Sequence, residues 1–205
     1  MPFYLLYWLV SPILWLILFL IAIINPKVRH HWINEKKTLY AVKEKIKENN
    51  KIIIHLHSAS MGEFEQLKPI INKINRNKYF ILLSFFSPTG FEKQKNTTLV
   101  DAVCYHPFDF IWSAFFFFQK LNIQYYITTR NDIWPNHLFI AKKLNISTAL
   151  INANFYKKTH KKSFLIKTIY KQIFKNIDII LTGSERLKIK LKFLSSNEKI
   201  YVTGD

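Results

Sequence analysis

Seven short apolar runs punctuate the chain from Lys51 onward: 51–57 KIIIHLH, 79–85 YFILLSF, 100–105 VDAVCY, 123–128 IQYYIT, 146–151 ISTALI, 177–182 IDIILT and 199–202 KIYV. Each has the length of a strand. Between them lie segments of helical period. In HKKSFLIKTIYKQIFKN, residues 160–176, Ile166, Ile169, Tyr170, Ile173 and Phe174 mark one face and lysines cover the other. Apolar strands separated by helices imply a parallel sheet covered on both faces. The fold expected for 51–205 is therefore α/β, a Rossmann-like doubly wound parallel sheet. Such sheets bind ligands beyond the carboxyl ends of their strands, so chemistry is sought in the post-strand loops.

Those loops read SASMGE, SPTG, HPFD, TRNDIWPN, NANFY and GSE. The chain has four glycines, at 62, 90, 183 and 204, and they form neither a dinucleotide fingerprint nor a P-loop. No cofactor is expected. His55 and His57 lie two apart on one strand without a matching Asp, Glu or Cys pattern, so they read as packing residues and no metal is expected. Ser60 lacks the G-x-S-x-G elbow of a serine hydrolase. The first loop is the most specific: HLHSASMGEFEQLKPII runs from strand end to helix start and places Glu63 in the first helical turn. Two readings stand side by side. Ser60 and Glu63 have the spacing of a capping box. Glu63 could equally be a base aimed at a substrate, held ionised by the helix dipole and free amides. Trp134 and Pro135 read as a loop-to-helix turn with the indole inward. The run FFFF at 115–118 reads as a helix shared between core and surface.

Residues 3–24, FYLLYWLVSPILWLILFLIAII, carry no charge, and as a helix they reach about 30 Å, the depth of a bilayer's hydrocarbon. No basic residue precedes the run and no small-residue cleavage site follows it, which argues against a signal peptide. Pro12 would kink such a helix. Residues 1–26 are thus expected to form a transmembrane or monotopic anchor, followed by a linker helix over 27–50. Lys27, Arg29 and the neighbouring histidines favour a cytoplasmic domain. The whole chain holds 30 Lys plus Arg against 13 Asp plus Glu, a formal charge of +17, which suits an anionic partner such as membrane lipid. Ile, Lys, Asn and Phe are all abundant, so part of that charge reflects a general compositional bias. Nucleic acid would rest on charge alone, with no recognisable module, and is not expected. Cys104 is the only cysteine, which precludes an internal disulfide and fits a reducing compartment.

The loops also carry a resemblance. HSASMGEFEQLKPII resembles the H-(A/S)-x-S-x-G-E signature of the Kdo transferases, membrane-associated glycosyltransferases of lipopolysaccharide core assembly. SPTGFEKQ is similar to their T-P-T-G-x-E, YHPFDF to Y-L-P-(Y/F)-D, and NDIWPNHL to E-T-E-L-W-P-N-L. LINANFYKKT is similar to (I/L)-(I/V)-N-A-R-L-S, and KIYVTGD to the V-x-V-T-G-(N/S) that ends the first domain. Six motifs occur in order. The resemblance implies the N-terminal half of a GT-B glycosyltransferase: 51–205 would be the acceptor-side domain, with the donor-binding second domain absent from this sequence. It implies inverting, metal-free transfer of Kdo from CMP-Kdo to a lipid A precursor (lipid IVA) at the cytoplasmic face of the inner membrane. Glu63 maps onto the general base. Ser60, Gly62, Thr89, Arg130, Asp132 and Asn152 fall in the substrate-binding motifs. Two positions depart from the pattern: Arg130 stands where the family has the first glutamate of E-T-E, and Asn154 replaces the arginine of N-A-R-L-S. The alternative implied is a truncated or split remnant that binds lipid or a partner without transfer.

Overall fold

The computed structural model describes residues 2–155, 164–195 and 199–204. All seven expected strands are present, with no end moved by more than two residues: β1 (Ile52–Ser58), β2 (Tyr79–Phe85), β3 (Ala102–Tyr105), β4 (Tyr125–Thr129), β5 (Ser147–Ile151), β6 (Ile179–Thr182) and β7 (Ile200–Val202). They form one parallel sheet in the order β3-β2-β1-β4-β5-β6-β7. The order runs leftward from β1 and then rightward from β4, so the chain reverses direction between these two central strands. Such a switch point opens a crevice at the carboxyl ends, because the loops after β1 and β4 leave toward opposite faces.

Helices cover both faces. α3 (Met61–Ile71) and α4 (Pro88–Gln94) lie on one side, where Phe64, Leu67, Ile71 and Phe91 pack on Leu56, Ile81, Leu83 and Phe85. On the other side lie α5 (Ile111–Leu121), α6 (Pro135–Lys143), α7 (Phe164–Phe174) and α8 (Glu185–Lys192), packed on Ile53, Leu82, Cys104, Tyr126, Leu150 and Ile180. Full burial of each such apolar side chain contributes about 1.5–3 kcal/mol. Cys104 is buried and unpaired. Phe117 and Phe118 enter the core while Phe116 is exposed, so the FFFF run is shared as its helical spacing requires. On α7, Ile173 and Phe174 are buried with Ile169 and Tyr170 packed behind them, and Ile166 stays largely exposed. The start of the lysine-rich stretch and Tyr156 of the fifth loop lie outside the described residues.

Two helices precede the sheet: α1 (Pro2–Ile24), which continues through Pro12, and α2 (Pro26–Lys47), capped by the Asn25 side chain. The helix expected over 27–50 is present as α2. α2 is a layer of the fold: Val42 is 1% exposed in the main core, and Leu39 and Ile46 pack beside it. His31 is also buried, with its ring nitrogens 3.0 Å from the carbonyl oxygens of Phe86 and His106.

Candidate active site

Glu63 occupies the third position of α3, directly after β1. Ser60, the N-cap, has the extended backbone of a cap, and the two residues form a capping box, in which the Ser60 amide donates to Glu63 Oε2 at 3.1 Å. The local sequence therefore does what its spacing requires: the short loop SAS ends a buried strand and exposes the first amides of a helix, and the carboxylate folds back on one of them. Glu63 is half-buried, while Ser60 and Gly62 are exposed.

The helix-start amides are one of several influences on the Glu63 carboxyl. Burial, and then the charge of Asp132, push its carboxyl above the usual range; the Ala59 and Ser60 backbone and His57 pull it down by less. Asp132 follows β4, so the two carboxylates come from the two strands that flank the switch point. Behind Asp132 lies His57, fully buried, with Nε2 at 2.9 Å from Asp132 Oδ2 but off the line of a hydrogen bond. His57 Nδ1 meets Ser84 Oγ at 2.8 Å, and the same hydroxyl lies 2.7 Å from His55 Nε2. One hydroxyl thus serves both strand histidines. Among the described residues no group of three His, Cys, Asp or Glu has the arrangement to hold a metal ion.

The neighbouring loops close on this corner. Asn152, at φ 49°, donates from Nδ2 to Gln66 Oε1 at 3.3 Å, linking the end of β5 to α3. Arg130, at φ 59°, donates its amide to the Ile151 carbonyl at 2.8 Å, and its own carbonyl accepts from the Asn154 amide at 3.3 Å. The two departures from the expected motif pattern are therefore backbone neighbours. Ser87 N–H donates to the Ala59 carbonyl at 3.2 Å, tying the second loop to the first. Thr89 stands apart: it lines a shallow hollow of about 560 Å³ with Pro26, Lys27, His30 and Glu92. A deeper groove of about 470 Å³ lies between α1, α2 and α5, and it too lacks Glu63.

Asp109 was not among the residues singled out from sequence. It caps α6 from another loop: its Oδ1 accepts from the Asn136 and His137 amides at 3.1 and 3.2 Å and from His137 Nδ1 at 2.9 Å. Trp134, the N-cap by position, offers no side-chain bond and packs inward on His106, 4.6 Å between ring centres. The signal for Asp109 was an acid in an aromatic loop, HPFDF, with no helix-start spacing of its own.

Residues 31–205 match the sequence model of the family described as 3-deoxy-D-manno-octulosonic-acid transferase (kdotransferase). Curated relatives agree. The 3-deoxy-D-manno-octulosonic acid transferase of Chlamydia trachomatis serovar D is 22% identical over 179 residues, 85% of this chain and 42% of the relative. That of Haemophilus influenzae is 24% identical over 157 residues, 74% of this chain and 36% of the relative. That of Aquifex aeolicus is 28% identical over 164 residues, 80% and 42% respectively. The chain thus spans less than half the length of these relatives. Among solved structures, a UDP-N-acetylglucosamine 2-epimerase superimposes with a TM-score of 0.55 at 10% identity, covering 76% of this chain and 49% of the epimerase; it shares the fold. The motifs in their loops, the parallel sheet and the family match together place this chain in the 3-deoxy-D-manno-octulosonic-acid transferase family, as a Rossmann-like N-terminal half of the GT-B kind.

Proposed function

We propose that this chain is the acceptor-side half of an inverting transferase that moves Kdo from CMP-Kdo to a hydroxyl of a lipid A precursor, at the cytoplasmic face of the inner membrane and attached there through α1. The observation that carries the reading is Glu63: a half-buried carboxylate at the switch-point end of the sheet, its proton affinity raised by burial and by Asp132. A general base works best when its pKa approaches the working pH, and it must reach the hydroxyl proton. Capping and catalysis draw on the same carboxylate: the Ser60 amide donates to Oε2, and the proposed base function would use the group's remaining accepting capacity.

The test needs a donor-binding half, joined or supplied separately. Glu63→Gln keeps shape and much of the capping ability but accepts no proton, so CMP release should fall about 10²–10⁴-fold with unfolding unchanged. A pure cap predicts preserved turnover in the folded fraction. The second reading, a binding remnant without transfer, is favoured by one observation: Arg130, a cation where the family pattern has a carboxylate, sits in the same loop pair as Asn154. Acceptor binding without CMP release in the wild-type assembly would select it.

A further inference from the structure

α1 is long enough to span a bilayer: its 23 residues reach roughly 34 Å at 1.5 Å each, against about 30 Å of hydrocarbon. Its contacts forbid that pose. Tyr4 accepts from Asn176 Nδ2 at 2.8 Å and donates to the Pro135 carbonyl at 3.3 Å. Tyr7 donates to the Asp109 carbonyl at 3.0 Å and lies 3.2 Å from its carboxylate. Trp8 Nε1 donates to Asn136 Oδ1 at 2.8 Å, and the Tyr4 and Trp8 rings both pack on Phe139, at 4.9 and 5.0 Å. Further along, Trp15 and Phe19 pack on Trp32 of α2, and Ser11 and Ala22 are buried.

Positions 4, 7, 8, 11, 15, 19 and 22 fall within about a third of the helical circumference at 3.6 residues per turn. The helix is thus docked along its whole length, near both ends. Were it to stand across the bilayer, Asp109, Asn136 and the domain behind them would enter the hydrocarbon, where polar groups are costly. The opposite side is a different surface. Leu5 (61% exposed), Leu9 (77%), Ile13 (60%), Leu16 (53%), Leu20 (50%) and Ile24 (85%) follow one another along it. Trp15 (40%) and Phe19 (43%) are partly open at the edge of the docked face. The other exposed apolar positions occupy about half the circumference, wider than the roughly 100° stripe that one packed helix would cover.

We infer that α1 does not cross the membrane: it lies in the membrane plane, docked on the sheet domain along one face, and inserts its outer half among the acyl chains of a single leaflet. This rests on the membrane attachment proposed above. The width of the bare surface fits lipid, which wets a whole half-cylinder, better than a protein partner. Lys27 and Arg29, just past the helix end, stand where the anionic headgroups of that leaflet lie.

The test uses the full chain, expressed in a Gram-negative bacterium with Cys104→Ala and a single cysteine at Pro2→Cys or, as the domain reference, Lys73→Cys. Inverted membrane vesicles are treated with a membrane-impermeant maleimide before and after opening by detergent, each value normalised to labelling in SDS. The expected result is that the opened-to-sealed ratio is the same for both sites, since the N-terminus and the domain share one side. A several-fold rise on opening at Pro2→Cys alone puts the N-terminus across the bilayer and overturns the inference. If the chain is missing from the membrane fraction before any labelling, attachment itself fails and the inference falls with it.

Discussion

At Glu63 two influences oppose each other: burial and Asp132 favour the protonated acid, while the helix-start backbone and His57 favour the anion, and the first pair prevails. The base proposed above must be ionised to act, so the transfer rate of an assembly with a donor-binding half should fall as pH drops through the raised pKa. Asp132→Asn removes the charge that raises it, and the acid limb of the kcat/KM profile should move to lower pH. Were Asp132 only a scaffold residue, the limb would stay in place and only its height would change. Two glycines give a paired stability prediction. A Cβ at Gly90 would lie 2.6 Å from Phe85 Cδ1, inside a packed core, so Gly90→Ala should cost roughly 1–3 kcal/mol. Nothing lies within 4 Å of a Cβ at Gly62, so Gly62→Ala in α3 should stabilise by about 0.4–1 kcal/mol; denaturant midpoints decide both. The Ser60–Glu63 pair was legible in sequence because a capping box is a three-residue spacing. The Asp109 cap on α6 spans 27 residues and leaves no local pattern. Nor does spacing reveal that Arg130 and Asn154 meet.

Among the elements, α2 shows where composition stops informing. Its sequence is lysine-rich, yet His31, Glu35, Leu39, Val42 and Ile46 recur every three or four residues along one face. Two of these five are polar, so the stripe does not read as apolar. Burial makes both of those unusual: the His31 ring is pushed down to about 4 and the Glu35 carboxyl up to about 7. As an integral layer, α2 should carry stability. Val42→Ala deletes two methyl groups from the core and leaves a void, with an expected loss of roughly 1–3 kcal/mol. A linker helix would show a change within about 0.5 kcal/mol. Urea unfolding with an unchanged m-value distinguishes the two. The same limit applies to α1: its apolar length was evident from sequence, whereas its docked face depends on partners more than 100 residues away, such as Pro135 and Asn136.

At the scale of the molecule, the seven strands were legible because a parallel strand buried on both faces is apolar nearly throughout. Their order was not, since periodicity carries no information about neighbours, and the switch point between β1 and β4 emerges only from pairing. That arrangement gathers buried histidines beneath the candidate site. His106 lies 4.2 Å from His137, tilted against it, and stacks 5.8 Å from His55, measured between ring centres. Burial, as the leading cause, drives His55 and His106 well below the ordinary histidine range and lowers His137 against the pull of Asp109. The hydrogen bonds agree with neutral rings: Tyr126 Oη lies 2.9 Å from His106 Nε2 while Nδ1 lies 3.0 Å from the Pro107 carbonyl. In the unfolded chain the same side chains take up protons near pH 6.5. Below that pH the unfolded state binds protons that the native state refuses, so stability present at neutral pH is lost on acidification. Below pH 6.5 each such histidine costs about 1.4 kcal/mol per pH unit. His31, lowered likewise, and Glu35, raised, act in opposite senses and roughly offset. The net loss between pH 7 and 5.5 should therefore be on the order of 2–4 kcal/mol, a large share of the roughly 5–15 kcal/mol typical of a domain. Urea midpoints at the two pH values, in one fixed detergent, measure the drop. His55→Leu removes one titrating ring and leaves Ser84 bonded to His57, so it should reduce the pH dependence by about a third. An unchanged dependence in that variant, or wild-type stability that holds level to pH 5.5, would mean that the cluster takes up its protons without unfolding.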